Sequence, residues 1–122
     1  MRLSEAIEEF DALVPNSVDN ALKVRWISDL DLQVNRELLL PRCIGRPCFR
    51  GYGQEAEMDA ELLIPAGYTE IYRHYMAAQY YSAMQEDGNF NREANQYNVK
   101  YKTYADWVAR EHMCRPTRLK LV

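Results

Sequence analysis

The chain has 122 residues, of which 48% are hydrophobic and 27% are charged, and its net charge is −3. This composition is that of a globular protein, and the length suits one domain with one core. No apolar run approaches the ~20 residues of a membrane-spanning helix, and the acidic N-terminal stretch does not resemble a secretory signal. We therefore expect a protein made in the cytoplasm, and its negative charge disfavours a primary DNA-binding role.

Two helices are predicted in the first 40 residues. Apolar residues recur at intervals of three and four from position 3 onward, which predicts an amphipathic helix over about 4–13. Pro15 breaks that pattern, and Ser17 can cap a second helix. Its apolar face continues until Pro41 forbids another turn, so the second helix is predicted over about 18–40.

A long loop is predicted over residues 41–59, because two prolines and three glycines fall within it. Loops of this length are uncommon in compact domains and tend to be either functional or mobile, so this one is the first candidate interaction site. The short apolar run Leu62-Leu63-Ile64 follows, closed by Pro65. It is consistent with a brief strand or with a buried tether into the next helix.

The second half of the chain predicts a helical hairpin. Apolar and aromatic residues predict a third helix over about 68–86, ended by Gly88, and a fourth over about 90–111, capped by Asn89. The short turn between them favours an antiparallel pair. The predicted fold is therefore an all-α bundle of about four helices in a single domain over 1–111, followed by a basic tail over 112–122. The residues predicted to fill the core are Trp26, Ile27, Leu30, Val34, Ile71, Tyr75, Tyr97, Tyr101 and Tyr104.

Motifs that carry catalysis are missing from the sequence. There is no glycine-rich phosphate loop ending in Lys-Ser/Thr, no G-x-S-x-G elbow and no H-E-x-x-H pair. His74 falls in the middle of a predicted helix, where a packed or surface role is commoner than a catalytic base. We expect no enzymatic activity and no cofactor.

The cysteines Cys43, Cys48 and Cys114 are odd in number in a chain without an export signal, which predicts free thiols. Together with His112 they offer four ligands of the kind that tetrahedral zinc uses. Their spacing does not match that of structural zinc pairs, which usually lie two to four residues apart. Three unrelated thiols are the preferred interpretation, with a zinc site as the alternative.

Arginines and tyrosines suggest a binding surface. Arg42, Arg46 and Arg50 could neutralise phosphates while tyrosines stack on bases, but most of the nine tyrosines follow helical spacing that is typical of a core lining. We therefore favour a flexible electrostatic contact between these arginines and an acidic neighbour. Residues 1–40 of a second subunit, with eight acidic and four basic side chains, could provide it.

Several segments carry a resemblance to known proteins. They are Val14-Pro15-Asn16, the run KVRWISDLD from Lys23 to Asp31, the run DAELLIPAGY from Asp59 to Tyr68 with Ile71, Tyr72 and Tyr75 after it, and Phe90-Asn91, Tyr97-Asn98, Tyr104 and Trp107 in the last helix. In these segments, which span residues 1 to about 111, the chain resembles the helical head-tail connector, or adaptor, proteins of tailed bacteriophages and prophages of Gram-positive bacteria. It departs from that family in the loop 41–58 and in the tail 112–122.

The resemblance implies a structural protein of the virion. Its subunits would form a homo-oligomeric ring on the phage portal, complete the head, bind tail-completion proteins and let DNA pass through the channel. The loop and the tail, which we expect to become ordered only on assembly, would be the contact surfaces. The alternative is a small helical adaptor or regulator that binds a host partner. The residues predicted to bind partners are Arg42, Arg46, Phe49, Arg50, Tyr52, Arg115, Arg118, Leu119 and Leu121.

Overall fold

The structure, a computed structural model, describes residues 1–53 and 59–112. Within these ranges it contains four α-helices and no β-strand, so the predicted all-α fold class is confirmed. No helix in the described part of the chain has both the length and the apolar character that crossing a membrane requires. The helices are α1 (Leu3–Leu13), α2 (Asn20–Val34), α3 (Glu70–Ala83) and α4 (Asp87–Glu111).

The predicted bounds of the first helix are confirmed to within a residue, whereas α2 begins and ends differently from the prediction. Asp19 rather than Ser17 caps α2, because its carboxylate accepts a hydrogen bond from Ala21 N at 3.4 Å. At its far end α2 continues directly into a π-helical turn, Asn35–Leu39, and then a 3₁₀ turn, Leu40–Arg42. Pro41 therefore lies within the helical path, in a 3₁₀ turn that needs no i→i−4 hydrogen bond from it.

The turn between α3 and α4 lies earlier than predicted. Gln85 adopts a left-handed conformation with a φ of 60°, and Glu86 N donates to Tyr81 O at 2.9 Å, which closes α3 in a Schellman motif. Gly88 therefore does not end α3 but lies in the first turn of α4. Asn89 lies in α4 as well, so the prediction that it caps this helix was wrong. The two helices pack along their lengths as the predicted hairpin.

The core combines residues from all four helices and from the segment before α3. Six of the predicted core residues are buried as expected, and α1 adds Leu3, Ile7 and Phe10. Tyr75, Tyr97 and Tyr101 are partly buried and pack against the outside of this core. Their rings follow one another along the edge of the hairpin, with centroids 5.4 and 5.6 Å apart. The confirmed six are Trp26, Ile27, Leu30, Val34, Ile71 and Tyr104.

The segment that enters α3 is a buried tether rather than a strand. Leu62 and Ile64 are buried. Leu3 N donates to Ala60 O at 3.0 Å, and Leu62 N donates to Met1 O at 2.9 Å. These bonds form a single antiparallel bridge, which fastens the tether to the start of α1.

Candidate partner-binding site

A stripe of three short polar side chains runs along α2 and its π-helical extension. Ser28, Asp31 and Asn35 are three and four positions apart, a spacing that places them on one side of a helix. All three are buried, and the carboxylate of Asp31 is fully so. We call these residues the polar stripe. They hold residues 45–52 of the long loop against the helix.

Asn35 holds the first part of the loop through its side-chain amide. Its Nδ2 donates to Arg46 O at 2.8 Å, and its Oδ1 accepts from Arg46 N at 2.9 Å. Gly45 makes this close approach possible, since a Cβ atom there would lie 2.6 Å from Asn35 Oδ1 and 2.7 Å from Leu40 N. Any side chain at position 45 would therefore push the loop away from the helix.

Ser28 holds the second part of the loop. Its Oγ accepts from Tyr52 N at 2.8 Å and lies 3.4 Å from Tyr52 O, to which it can donate. Gly51, directly before Tyr52, has a φ of +89°, in the left-handed region that favours glycine. A glycine turn thus brings the Tyr52 backbone within reach of α2.

Asp31 joins the loop to the tether and to α3. Its carboxylate accepts hydrogen bonds from Tyr52 Oη at 2.5 Å, from Leu63 N at 3.1 Å and from Tyr72 Oη at 2.7 Å. The Tyr72 hydroxyl in turn accepts from Ile64 N at 2.9 Å. One buried carboxylate therefore fixes three segments that are distant in the sequence.

The electrostatics of this cluster are dominated by burial. Burial raises the pKa of Asp31 above its ordinary value, although the hydrogen bonds from Tyr52, Tyr72 and Leu63 act in the opposite direction. Burial and the adjacent Asp31 carboxylate raise the pKa of Tyr72 well above its usual value, so the hydroxyl stays protonated and able to donate. We infer a structural role for the cluster, because its polar atoms bond to one another.

The docked loop presents Arg46 and Arg50 on a fixed backbone, and Arg42 lies in the 3₁₀ turn before it. Arg46 and Arg50 are exposed and Arg42 is half-buried, and none of them forms an ion pair with another described residue. Phe49 is half-buried and packs edge-on against Tyr52, with ring centroids 5.4 Å apart. We call Arg42, Arg46, Phe49 and Arg50 the loop surface.

Arg46, Phe49 and Arg50 thus lie on the loop segment that the polar stripe holds, and Arg42 lies in the 3₁₀ turn before it. The cavity beside Arg46 is lined by Leu63 and Trp107, whereas Arg50 lines a separate cavity with Ser28 and Asp29. The fifth in the loop, Tyr52, turns its hydroxyl into the protein and serves to position the loop. The polar stripe contacts residues 45–52 within the single chain, and the expectation that the loop becomes ordered only on assembly stays a prediction. Arg115, Arg118, Leu119 and Leu121 lie outside the described residues.

The structure describes two of the three cysteines that were predicted to be free thiols, Cys43 and Cys48. Cys43 is disulfide-bonded, so the prediction of a free thiol was wrong there, whereas Cys48 is free and exposed. An odd number of cysteines excludes complete pairing but not a single disulfide. Cys43 therefore offers no thiolate to zinc, and no group of three metal-ligating side chains occurs within the described residues. Cys114 lies outside them.

His74 is buried in α3, as expected for a packed residue. Its Nδ1 lies 2.8 Å from Glu93 Oε1 on α4, and its Nε2 lies 3.2 Å from the guanidinium of Arg73. The pair helps to join the two helices of the hairpin.

No family model, curated protein or solved structure matches the chain. A function must therefore be argued from the surfaces described above and from the resemblance in the sequence.

Proposed function

We propose that this protein is a structural subunit of a phage or prophage head-tail connector, and that it binds its neighbours through the loop surface. The observation that carries the proposal is that Arg46 and Arg50, on a backbone fixed by the polar stripe, form no ion pair with a residue in the described part of the chain. In the connector, the subunits would form a ring on the portal and provide the attachment site for the tail. The resemblance in sequence supplies this identity, and the loop surface is the feature that suits it.

A preformed loop favours binding for a simple reason. Association costs free energy when loops must become ordered, and a loop already held by Ser28, Asp31 and Asn35 avoids most of that cost. Arginine and aromatic side chains are also enriched where protein interfaces gain most of their binding energy. The loop surface combines both residue types.

Apolar contacts must supplement the charges. An exposed ion pair contributes only ~0.2–1 kcal/mol and is screened at physiological salt, so three arginines alone make a weak contact. Exposed Leu40 and Ile44 lie in the same part of the chain, and Phe49 adds an aromatic ring. A partner that is acidic and partly apolar would fit this surface best.

The experiment compares two double charge reversals. Arg46→Glu combined with Arg50→Glu changes the loop surface, while Lys102→Glu combined with Arg110→Glu changes two exposed residues of α4. Phage lacking the gene would be complemented with each variant, and filled heads and tailed particles would be counted by electron microscopy. We expect tailless filled heads with the loop variant and normal particles with the control.

Binding to the purified portal protein encoded beside this gene provides the second measurement. Normal tailed particles and undiminished portal binding with the loop variant would refute the proposal. Genes for portal, terminase and capsid proteins should lie next to this one. A monomeric protein that captures a host partner and ignores the portal would instead support the adaptor alternative.

A further inference from the structure

The outer face of α1 is opposite in charge to the loop surface. This helix has four acidic residues and no basic one. Asp11 is paired with Lys23 at 2.6 Å, but Glu5, Glu8 and Glu9 form no ion pair with any residue that the structure describes. Their spacing of three and four places like charges side by side on the helix, which is unfavourable until a cation approaches. We call these three glutamates the acidic face.

The acidic face and the loop surface lie on different sides of α2. Trp26 packs edge-on against Phe10 of α1, with ring centroids 6.4 Å apart, while Ser28 holds Tyr52 of the loop. Residues that are two positions apart in a helix point in directions that differ by about 200°. Trp26 and Ser28 therefore point to nearly opposite sides of α2. No ion pair joins the acidic face to the loop arginines within the described chain, and each surface is left for another molecule.

We propose that the loop surface of one subunit binds the acidic face of α1 on a second copy of this chain. The inference rests on the proposed function only in taking a neighbouring subunit as the partner. Charge complementarity supports it, and each side also carries an exposed apolar residue, Ile44 beside the loop surface and Leu13 at the end of α1.

This pairing predicts the kind of assembly. The two surfaces are different patches of one chain, so each copy can bind one neighbour with its loop and another with its α1. Such a head-to-tail contact does not stop at a dimer; it gives a ring if the rotation closes and a filament if it does not. A symmetric dimer would require the same patch on both partners.

The first test is a charge-exchange experiment read by sedimentation velocity. We expect the wild-type chain to form species larger than a dimer as its concentration rises, and higher salt to reverse this. Arg46→Glu with Arg50→Glu gives one variant, and Glu8→Lys with Glu9→Lys gives a second that spares Glu5, whose Oε1 accepts from Arg2 N at 2.7 Å and caps α1. Each variant should be monomeric by itself. A mixture of the two should associate again, because each then offers the surface that complements the other. Lys102→Glu with Arg110→Glu serves as the matched control and should associate like the wild type.

The second test uses the exposed thiol of Cys48, which lies between Arg46 and Arg50 in the loop. Ala12→Cys places a thiol on the exposed side of α1 without altering the acidic face. Mild oxidation should then link loop to α1 in a ladder of dimers, trimers and longer species on a non-reducing gel. Adding Cys48→Ser should remove the ladder, and Lys102→Cys in place of Ala12→Cys should not produce one.

The outcomes separate this inference from the proposed function. A chain that stays monomeric at every concentration, loop variants that associate normally, or a mixture that stays monomeric would overturn the inference. A ladder that ends at dimers would overturn the head-to-tail arrangement. If the subunits associate as described but neither bind the portal nor affect tail joining, the proposed function fails while the inference stands. Circular dichroism of each variant tests whether the substitutions leave the fold intact, and only variants that keep the wild-type spectrum are compared.

Discussion

Asp31→Ala removes the carboxylate on which the loop, the tether and α3 converge. The substitution leaves the Tyr72 hydroxyl, in a side chain that is 1% exposed, and the Leu63 amide without their acceptor. A buried donor without a partner costs ~1–3 kcal/mol. Part of this cost is offset because the carboxylate no longer has to be buried, so we expect a loss of about 2–4 kcal/mol. A domain of this size has only about 5–15 kcal/mol to lose.

The matched control is Asp29→Ala, which removes an exposed carboxylate from the same helix. It should change the free energy of unfolding by less than ~0.5 kcal/mol. Urea denaturation followed by far-ultraviolet circular dichroism measures both variants. If the two substitutions cost the same, the carboxylate of Asp31 does not join these segments and our account of the polar stripe is wrong.

The same site predicts a dependence on pH. Burial raises the pKa of Asp31 above its ordinary value of 3.8, so the folded protein holds the proton more tightly than the unfolded chain does. The contribution of Asp31 to stability is therefore full below that ordinary value and is lost as the pH rises through the folded-state pKa. The stability of the wild type relative to Asp31→Asn should therefore fall as the pH rises above the ordinary carboxyl pKa. A difference that grows with pH would contradict the assigned direction.

Other substitutions test the core and the glycines. Ile27→Ala or Leu30→Ala should each cost about 2–5 kcal/mol, because both side chains are fully buried, and a melting temperature unchanged in either variant would refute the core assignment. Gly45→Ala should destabilise the protein and free the loop, since its Cβ would collide with Asn35, whereas Gly88→Ala in the open first turn of α4 should stabilise it by up to ~1 kcal/mol. Urea denaturation of both glycine variants measures the contrast, and equal effects would show that the close approach at Gly45 is unimportant.

The helices and most of the core could be predicted from the sequence because they depend on local spacing. Apolar side chains three and four positions apart share one face of a helix, and that face must be buried wherever the helix packs. This is why α1 and the burial of Ile27, Leu30 and Val34 agree with the prediction. Helix ends were less predictable, since Asp19 competes with Ser17 as a cap and Gln85 takes the left-handed position for which Gly88 is the more obvious residue.

The polar stripe was missed although the sequence contains a signal for it. Asp31 lies four positions after Ile27 and three before Val34, so a charged residue occupies the buried face of α2. Ser28, three positions before Asp31, and Asn35, four positions after it, add two more polar side chains to the same side of the helix. A buried carboxylate needs several donors, and this requirement indicates that other segments must approach it.

The sequence by itself determined the helical periodicity, the position of the long loop and the concentration of arginine within it. Only the tertiary structure decided that residues 45–52 lie fixed against α2, because the donors and acceptors that fix them come from positions 11 to 24 residues apart in the chain. Local propensity carries no information about such pairs. The same holds for the two surfaces of opposite charge, which are separated in space by the packing of α1 and of the loop against different sides of one helix.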